Sequence, residues 1–432
     1  MEARPNGYVS VLENELVEML KGAVLPEMSR TSEQCIYKVP QIIRQANPQA
    51  YTPQIISIGP FHNPRGSISA NNNLHEMEEL KLNYLKGFLN RTKLCVDDLV
   101  LKVQKLENKI RNCYAGLVCF DSNDFLKIIV VDACFIIELF LRYAFYPDWK
   151  EKDPILSKQW LHNDIKRDLI LLENQLPFFV LEEIYKLANI NLEVPSFVTI
   201  TIWYFHRLNQ QNINSERLCP KHFTDLLRTF LLPPSFDFAK EMENAGYAIQ
   251  HVYSASQLSE AGLKFELSES KCLLDLKFDK GVLQMPCFHV HDSTEMHMRN
   301  IIAFEGCHIS NYDSAYVSQY LSILDFLINT EKDVSILVNK KIISNWMGDA
   351  NAVATMVNKL CKNVPMPKLN SKYLSLCNRL NGFYENPRNK YKAIFVHEYF
   401  NTPCKIASTV TALFLLLFTL IQAVCSIWSL LK

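Results

Sequence analysis

The sequence predicts a mainly α protein: a large helical domain with a small antiparallel sheet or hairpin, followed by one C-terminal transmembrane helix. Three observations predict it. Apolar residues recur at helical spacing through most of the chain. Strict two-residue alternation is confined to one stretch, Leu263 to Val290. From Ile406 to Leu431 the sequence IASTVTALFLLLFTLIQAVCSIWSLL runs for 26 residues without a charge.

Composition sets the frame for these elements. The chain has 432 residues, 48% of them hydrophobic and 21% charged, with only 12 Gly and 19 Pro. That excludes a disordered chain, a collagen-like chain and a small disulfide scaffold, and leaves ample apolar material for a core. Lys plus Arg and Asp plus Glu both total 45, so the net charge is zero. A chain-wide basic field for nucleic acid is absent, and no nucleic-acid partner is expected.

The first thirty residues read as an N-terminal extension. Acidic residues interrupt each apolar stretch there, so no secretory signal is expected. Residues 31–384 then form the helical domain. Leu74 to Leu89 is charged and amphipathic. Val96 to Tyr114 carries Leu99, Val103, Leu106 and Ile110 at helical spacing. Phe125 to Tyr146 is nearly all apolar, but Lys127, Asp132, Glu138 and Arg142 interrupt it. A buried central helix fits better than a membrane span. Ile155 to Gln175 is expected as a helix stopped by Pro177, and Phe178 to Ala188 resumes the pattern. Further helices are expected over Tyr320–Asn329, Val334–Asn345, Ala352–Leu360 and Ser371–Phe383.

The β insertion falls near residues 263–290. Leu263, Phe265 and Leu267 alternate with Lys264 and Glu266, and Leu274, Leu276 and Phe278 with Asp275, Lys277 and Asp279. Asp279-Lys280-Gly281 reads as a three-residue hairpin loop, with Gly281 free to take positive φ. Arg65 to Asn73 and Asn209 to Pro220 read as surface loops. Residues 385–405 read as a polar, basic juxtamembrane linker.

The last segment, Ile406 to Leu431, spans roughly 39 Å as a helix at about 1.5 Å per residue, against the ~30 Å of a bilayer core. Arg388, Lys390, Lys392 and Lys405 precede it, and Lys432 alone follows. The positive-inside rule then places the body in the cytosol, as a tail-anchored protein of the plasma membrane or endoplasmic reticulum. Thirteen cysteines without a C-x-x-C pair read as reduced thiols, in keeping with a cytosolic domain. Cys404, at the membrane boundary, is the candidate for lipidation. Asn90, in Asn90-Arg91-Thr92, is the N-glycosylation acceptor if the body faces a lumen instead.

Candidate chemistry is sparse. There is no Gly-rich phosphate loop, no G-x-S-x-G and no H-E-x-x-H, and no cofactor, metal or catalytic residue is assigned. Asp168 to Pro177 reads as a polar network that satisfies a helix break, with Glu173, Asn174 and Gln175 as its members. Asp132 reads as a buried carboxylate with a basic partner. His289 and His291 place two rings on one strand face, close in sequence to His297, Cys287 and Cys307, but the spacing matches no zinc signature. Cys35 and His62 have no spacing that makes them nucleophile and base. Ser57-Ile58-Gly59-Pro60 reads as a turn fixing the N-terminal segment to the helices. The Arg388–Lys392 cluster is placed to touch anionic lipid.

Several phrases, in this order, carry a resemblance. They are Cys35-Ile36-Tyr37-Lys38-Val39-Pro40, Tyr51-Thr52-Pro53, Ser57-Ile58-Gly59-Pro60-Phe61-His62, Val131 to Ile136, Asp168 to Pro177, Leu258 to Gly262, Asn329 to Asp333 and His397 to Asn401, ahead of an apolar tail. From about residue 30 to 432 the chain resembles the plant family called domain of unknown function 247, with Phe61 where the family often has Tyr. The resemblance implies a single-pass plant membrane protein without an established activity. Some relatives are linked genetically to self-incompatibility and sex determination, which implies recognition or signalling. The expected function is therefore a non-catalytic interaction module at a membrane, with an unidentified protein partner. Two alternatives stand beside it. One is a homo-oligomeric, channel-like assembly through Thr411, Thr419 and Gln422. The other is a hydrolase or metal-dependent enzyme built on His289 and His291.

Overall fold

The computed structural model describes residue 17 and residues 33–64, 72–145, 149–190, 195–233, 251–309, 314–364, 368–400 and 403–430. The expected N-terminal extension, 1–30, therefore lies almost entirely outside the described residues, as do Leu431 and most of the loop 65–73.

The first half is built around one helix. Strand β1 (Ile36–Tyr37) is followed by a one-turn helix, Gln41–Arg44, then by α1 (Asn72–Thr92), α2 (Val96–Asn112), β2 (Tyr114–Ala115) and α3 (Ser122–Phe145). Next come α4 (Gln159–Asp168), α5 (Phe178–Leu187), α6 (Phe197–Tyr204) and α7 (Phe223–Thr229). Because α3 is apolar on nearly all sides, it can be stable only when surrounded. Helices α1, α2, α5 and α6 surround it. Its C-terminal third carries a ring cluster: Phe140 stacks on Tyr204 at 4.0 Å between centroids and on Phe197 at 5.9 Å. The three charges that would forbid such burial are paired. Asp132 meets Lys81 of α1, while Glu138 and Arg142 meet each other and Arg91 and Asp153.

The second half comprises α8 (Ala255–Glu260), β3 (Lys264–Leu267), β4 (Lys277–Asp279), β5 (Val282–Met285), β6 (Phe288–Val290), α9 (Thr294–His308), α10 (Tyr316–Leu327), α11 (Glu331–Asn339), β7 (Ile343–Asn345), α12 (Ala350–Leu360) and α13 (Ser371–Glu385). The small sheet is present, with order β3-β5-β4, and its hairpin β4–β5 is antiparallel. The outer strand β3 pairs parallel to β5, so the sheet is mixed. Asp279 pairs directly with Val282, which leaves a two-residue loop in place of three. Lys280 and Gly281 both take positive φ, 46° and 81°, as a tight primed turn requires.

Two expected helices differ. The helix expected over Ile155–Gln175 is regular only in α4; Asp168 to Pro177 is an irregular turn. Its backbone carbonyls are captured by side chains: Asn174 Nδ2 donates to Asp168 O, and Gln175 Nε2 donates to Leu169 O and Leu171 O. Side-chain donors thus replace the next turn of helix. The helix expected over Val334–Asn345 stops at Asn339, Lys341 turns through a φ of 60°, and residues 343–345 pair parallel with β6. The expected linker 385–405 is largely helical. It holds α14 (Pro387–Phe400) and the start of α15 (Pro403–Leu430).

Of α15, Ile406–Ser429 is long and apolar enough to cross a membrane, and none of its most apolar stretch is buried against the body. Leu415, Leu416 and Leu420 are each more than 60% exposed.

Candidate functional site

The N-terminal segment, residues 33–63, lies across the irregular turn 168–177 and is fastened there by buried polar groups. Asp168 accepts backbone N–H bonds from Gln54, Ile55 and Ile56 at 2.7–3.1 Å. Asn174 accepts from Ile58 N at 2.6 Å and donates to Ile56 O. An extended segment without strand partners leaves its amides unpaired, and these side chains supply the missing acceptors. Burial pushes the Asp168 carboxyl up to about 6, against the three amide bonds that favour its charge.

Glu173 is the centre of the half of the site that reaches solvent. Its Oε1 accepts from Val39 N at 2.6 Å and lies 2.5 Å from Arg44 Nη2; its Oε2 lies 2.8 Å from His62 Nε2. Burial raises this carboxyl, but the His62 hydrogen bond and the Arg44 charge outweigh burial and hold it below its ordinary range. Both oxygens are engaged, so no free carboxylate is left to accept a substrate proton.

Deeper in, Gly59 N donates to Asp132 Oδ2 at 2.8 Å, and Lys81 Nζ lies 2.7 Å from Asp132 Oδ1 and donates to the Ser57 carbonyl. Lys81 is fully buried. Burial pushes Asp132 up to about 6, opposed by the Lys81 charge. Asp132 therefore has its expected basic partner. Gly59 takes a φ of +72° within the expected turn, not the extended geometry favoured ahead of proline. A Cβ there would stand 2.5 Å from the Gln175 carbonyl oxygen, so only glycine fits.

A histidine and a thiol edge close the site. His222 donates through Nε2 to Cys35 O and accepts through Nδ1 from Asp225 N, which caps α7. Those two bonds fix a neutral ring, and burial lowers its pKa to about 4. Tyr37 Oη lies 2.9 Å from His308 Nδ1. Burial pushes the Cys307 thiol up to about 11, which makes it a poor nucleophile at neutral pH.

His62 belongs to this site, where it meets Glu173 and not Cys35. The remaining expected residues lie elsewhere. His289 and His291 are exposed with near-parallel rings 6.5 Å apart, and His291 tilts against Trp346. Among the described residues no group of three or more His, Cys, Asp or Glu gathers where it could hold a metal. Asn90 is exposed on the last turn of α1, and the Thr92 hydroxyl of its acceptor triplet donates to Phe88 O. Cys404 falls in α15, its side chain outside the described residues. Thr411 and Thr419 donate to Ala407 O and Leu415 O of their own helix. Lys81, His222, Tyr37 and His308 were not singled out by sequence. Their partners lie 51, 187 and 271 residues away, beyond any local pattern.

The comparisons with known proteins fall on this same framework. The chain is 30% identical over 426 residues to the Arabidopsis thaliana protein named UPF0481 protein At3g47200, covering 91% of this chain and 86% of that one. It is 37% identical over 149 residues to the putative UPF0481 protein At3g02645 of the same plant, covering 34% of this chain and 26% of that one. No solved structure matches. The family model described as a plant protein of unknown function, domain of unknown function 247, matches residues 36–418, which takes in the whole clasp from β1 to the turn at Pro177 and runs into α15; the chain belongs to that family.

Proposed function

We propose that the protein is a membrane-anchored recognition module without catalytic activity, its helical body held at the cytosolic face of a membrane. The observation that carries this reading is α15, whose most apolar stretch has none of its residues covered by the body. In water that surface would be a severe liability; in a bilayer it is the solvent-matched state. Helix α14 supports the same reading. Tyr391, Phe395 and Tyr399 recur every four residues on it, each at least half exposed, and Arg388, Lys390 and Lys392 lie alongside in sequence. Aromatic and basic residues ahead of a span suit the lipid headgroup layer.

The body's polar chemistry supports recognition over turnover. Glu173, Asp168 and Asp132 are each engaged by several donors within the fold, and Cys307 is held protonated by burial. The hydroxyls of Thr411 and Thr419 bond within α15, which favours an anchor over a polar seam between spans.

Protease protection of an N-terminal tag in sealed plant membranes, with a glycosidase shift assay on Asn90, tests the reading. Digestion of the tag with no glycan is expected. A protected tag with a glycan on Asn90 would overturn the orientation and make the body a lumenal or extracellular domain. Sustained turnover of any small substrate by the purified full-length chain would overturn the non-catalytic part.

A further inference from the structure

We propose that Cys35 and Cys113 are a redox pair that closes a disulfide between β1 and β2 and so staples the N-terminal segment onto the helical body. The pairing rests on backbone geometry first. The two strands run parallel with Ile36 opposite Tyr114 and Tyr37 opposite Ala115, which brings Cys35 beside Cys113. Cys35 N and Ile36 N both donate to the Cys113 carbonyl, each at 2.9 Å, so the two backbones are held in contact at this point. Each thiol also acts on the titration of the other, as groups close in space do. Neighbouring backbone positions held together in this way bring two cysteines within the span that a disulfide bridges.

The surroundings make the two thiols unequal. The neighbouring Cys35 thiol lowers Cys113, and the Lys109 and Lys221 charges act in the same direction. The Cys113 thiol and burial raise Cys35. One thiol thus has the character of the attacking group and the other of the resolving group. The oxidant is a low-molecular-weight disulfide of the glutathione class. The Cys113 thiolate attacks one of its sulfurs, the S–S bond breaks, and one thiolate leaves and takes a proton. Cys35 then attacks the Cys113 sulfur of the mixed disulfide. Its proton goes to the second departing thiolate. Two protein thiols are oxidised by two electrons, and one small disulfide is reduced to two thiols.

The bond would close a loop from residue 35 to residue 113 at the end of the segment that carries Tyr37, Arg44 and His62. Both cysteines are buried in the core, as Cys134 and Cys377 are; what sets them apart is that each lies beside the other.

The test uses the full-length chain in detergent micelles, equilibrated in glutathione buffers of graded redox potential, then quenched, alkylated under denaturing conditions and mapped by mass spectrometry. A peptide joining Cys35 to Cys113 and lighter by two hydrogens is expected, appearing over a single redox transition. The thermal midpoint of the oxidised chain should exceed that of the reduced chain, and Cys35→Ser or Cys113→Ser should abolish the difference. Full alkylation of both residues under the most oxidising buffer, or a link from either to another cysteine such as Cys307, would overturn the proposal. Because mapping is done on the wild-type chain, a variant that fails to fold does not affect this decision.

Discussion

His222 has both ring nitrogens committed as the neutral tautomer, Nε2 to Cys35 O and Nδ1 to Asp225 N. Burial lowers its pKa from 6.5 to about 4. The folded chain therefore binds fewer protons here than the unfolded chain between those values, and stability falls as pH drops through that window, by about 3 kcal/mol at full effect. Asp132 and Asp168, raised to about 6 by burial, act oppositely: they gain protons in the folded state and favour folding as pH falls from 6 towards 3.8. The difference between wild type and His222→Gln isolates the histidine. In urea unfolding, the change in stability from pH 7 to pH 4.5 should be more favourable for the variant than for wild type, and an identical change in the two proteins would remove this role. Gly59→Ala adds a Cβ at 2.5 Å from the Gln175 carbonyl oxygen on a backbone with φ +72°. It should cost about 2 kcal/mol or more in the same unfolding experiment. Single residues were legible where their chemistry is local. The isolated Asp132 in an apolar run demands a cation, and Asn174 and Gln175 beside Pro177 mark a helix break. Lys81, the cation itself, was not legible, because nothing in its amphipathic surroundings distinguishes it from a solvated lysine.

At the scale of elements, apolar periodicity located the helices well wherever packing reinforced it. Helix α3 is the strongest case, because only a surrounded helix can be apolar on every side. Phe140, in its C-terminal third, packs against Tyr204 and Phe197, so Phe140→Ala should lower stability by about 3–5 kcal/mol, measured as a shift in denaturant midpoint at constant slope. Boundaries failed where side chains competed with the helix for backbone groups. Asn174 and Gln175 take the carbonyls that another turn would use, which ends α4 at Asp168. Residues 343–345 join β6 because a strand partner 55 residues upstream is available, a pairing that local pattern does not encode. The alternation over β3 was read correctly, but its parallel direction depends on the path between Leu267 and Val282. The basic stretch before α15 looked like a linker because its charges mask an aromatic repeat of four.

For the whole molecule, the amino-acid pattern announced a helical body and one long apolar helix, while the clasp between the body and the N-terminal segment came only with the three-dimensional arrangement. The anchoring role proposed for α15 has a direct check. Leu415→Arg and Leu416→Arg together place two charges near the middle of the apolar stretch, at about 2.5–3.5 kcal/mol each for insertion. The doubly substituted chain should move from the carbonate-resistant membrane fraction to the soluble or aggregated fraction, whereas Leu415→Ile with Leu416→Ile should stay. The way residues 33–63 are held also bears on how the chain is made. Their partners are separated from them by 187 residues at His222, 271 at His308 and 321 at Asn363. During synthesis this stretch leaves the ribosome long before those partners exist, and high sequence separation slows such closure further. These contacts can therefore close only after most of the chain has been made, so a truncation that removes α13 onward still lacks nothing that His222 and His308 supply.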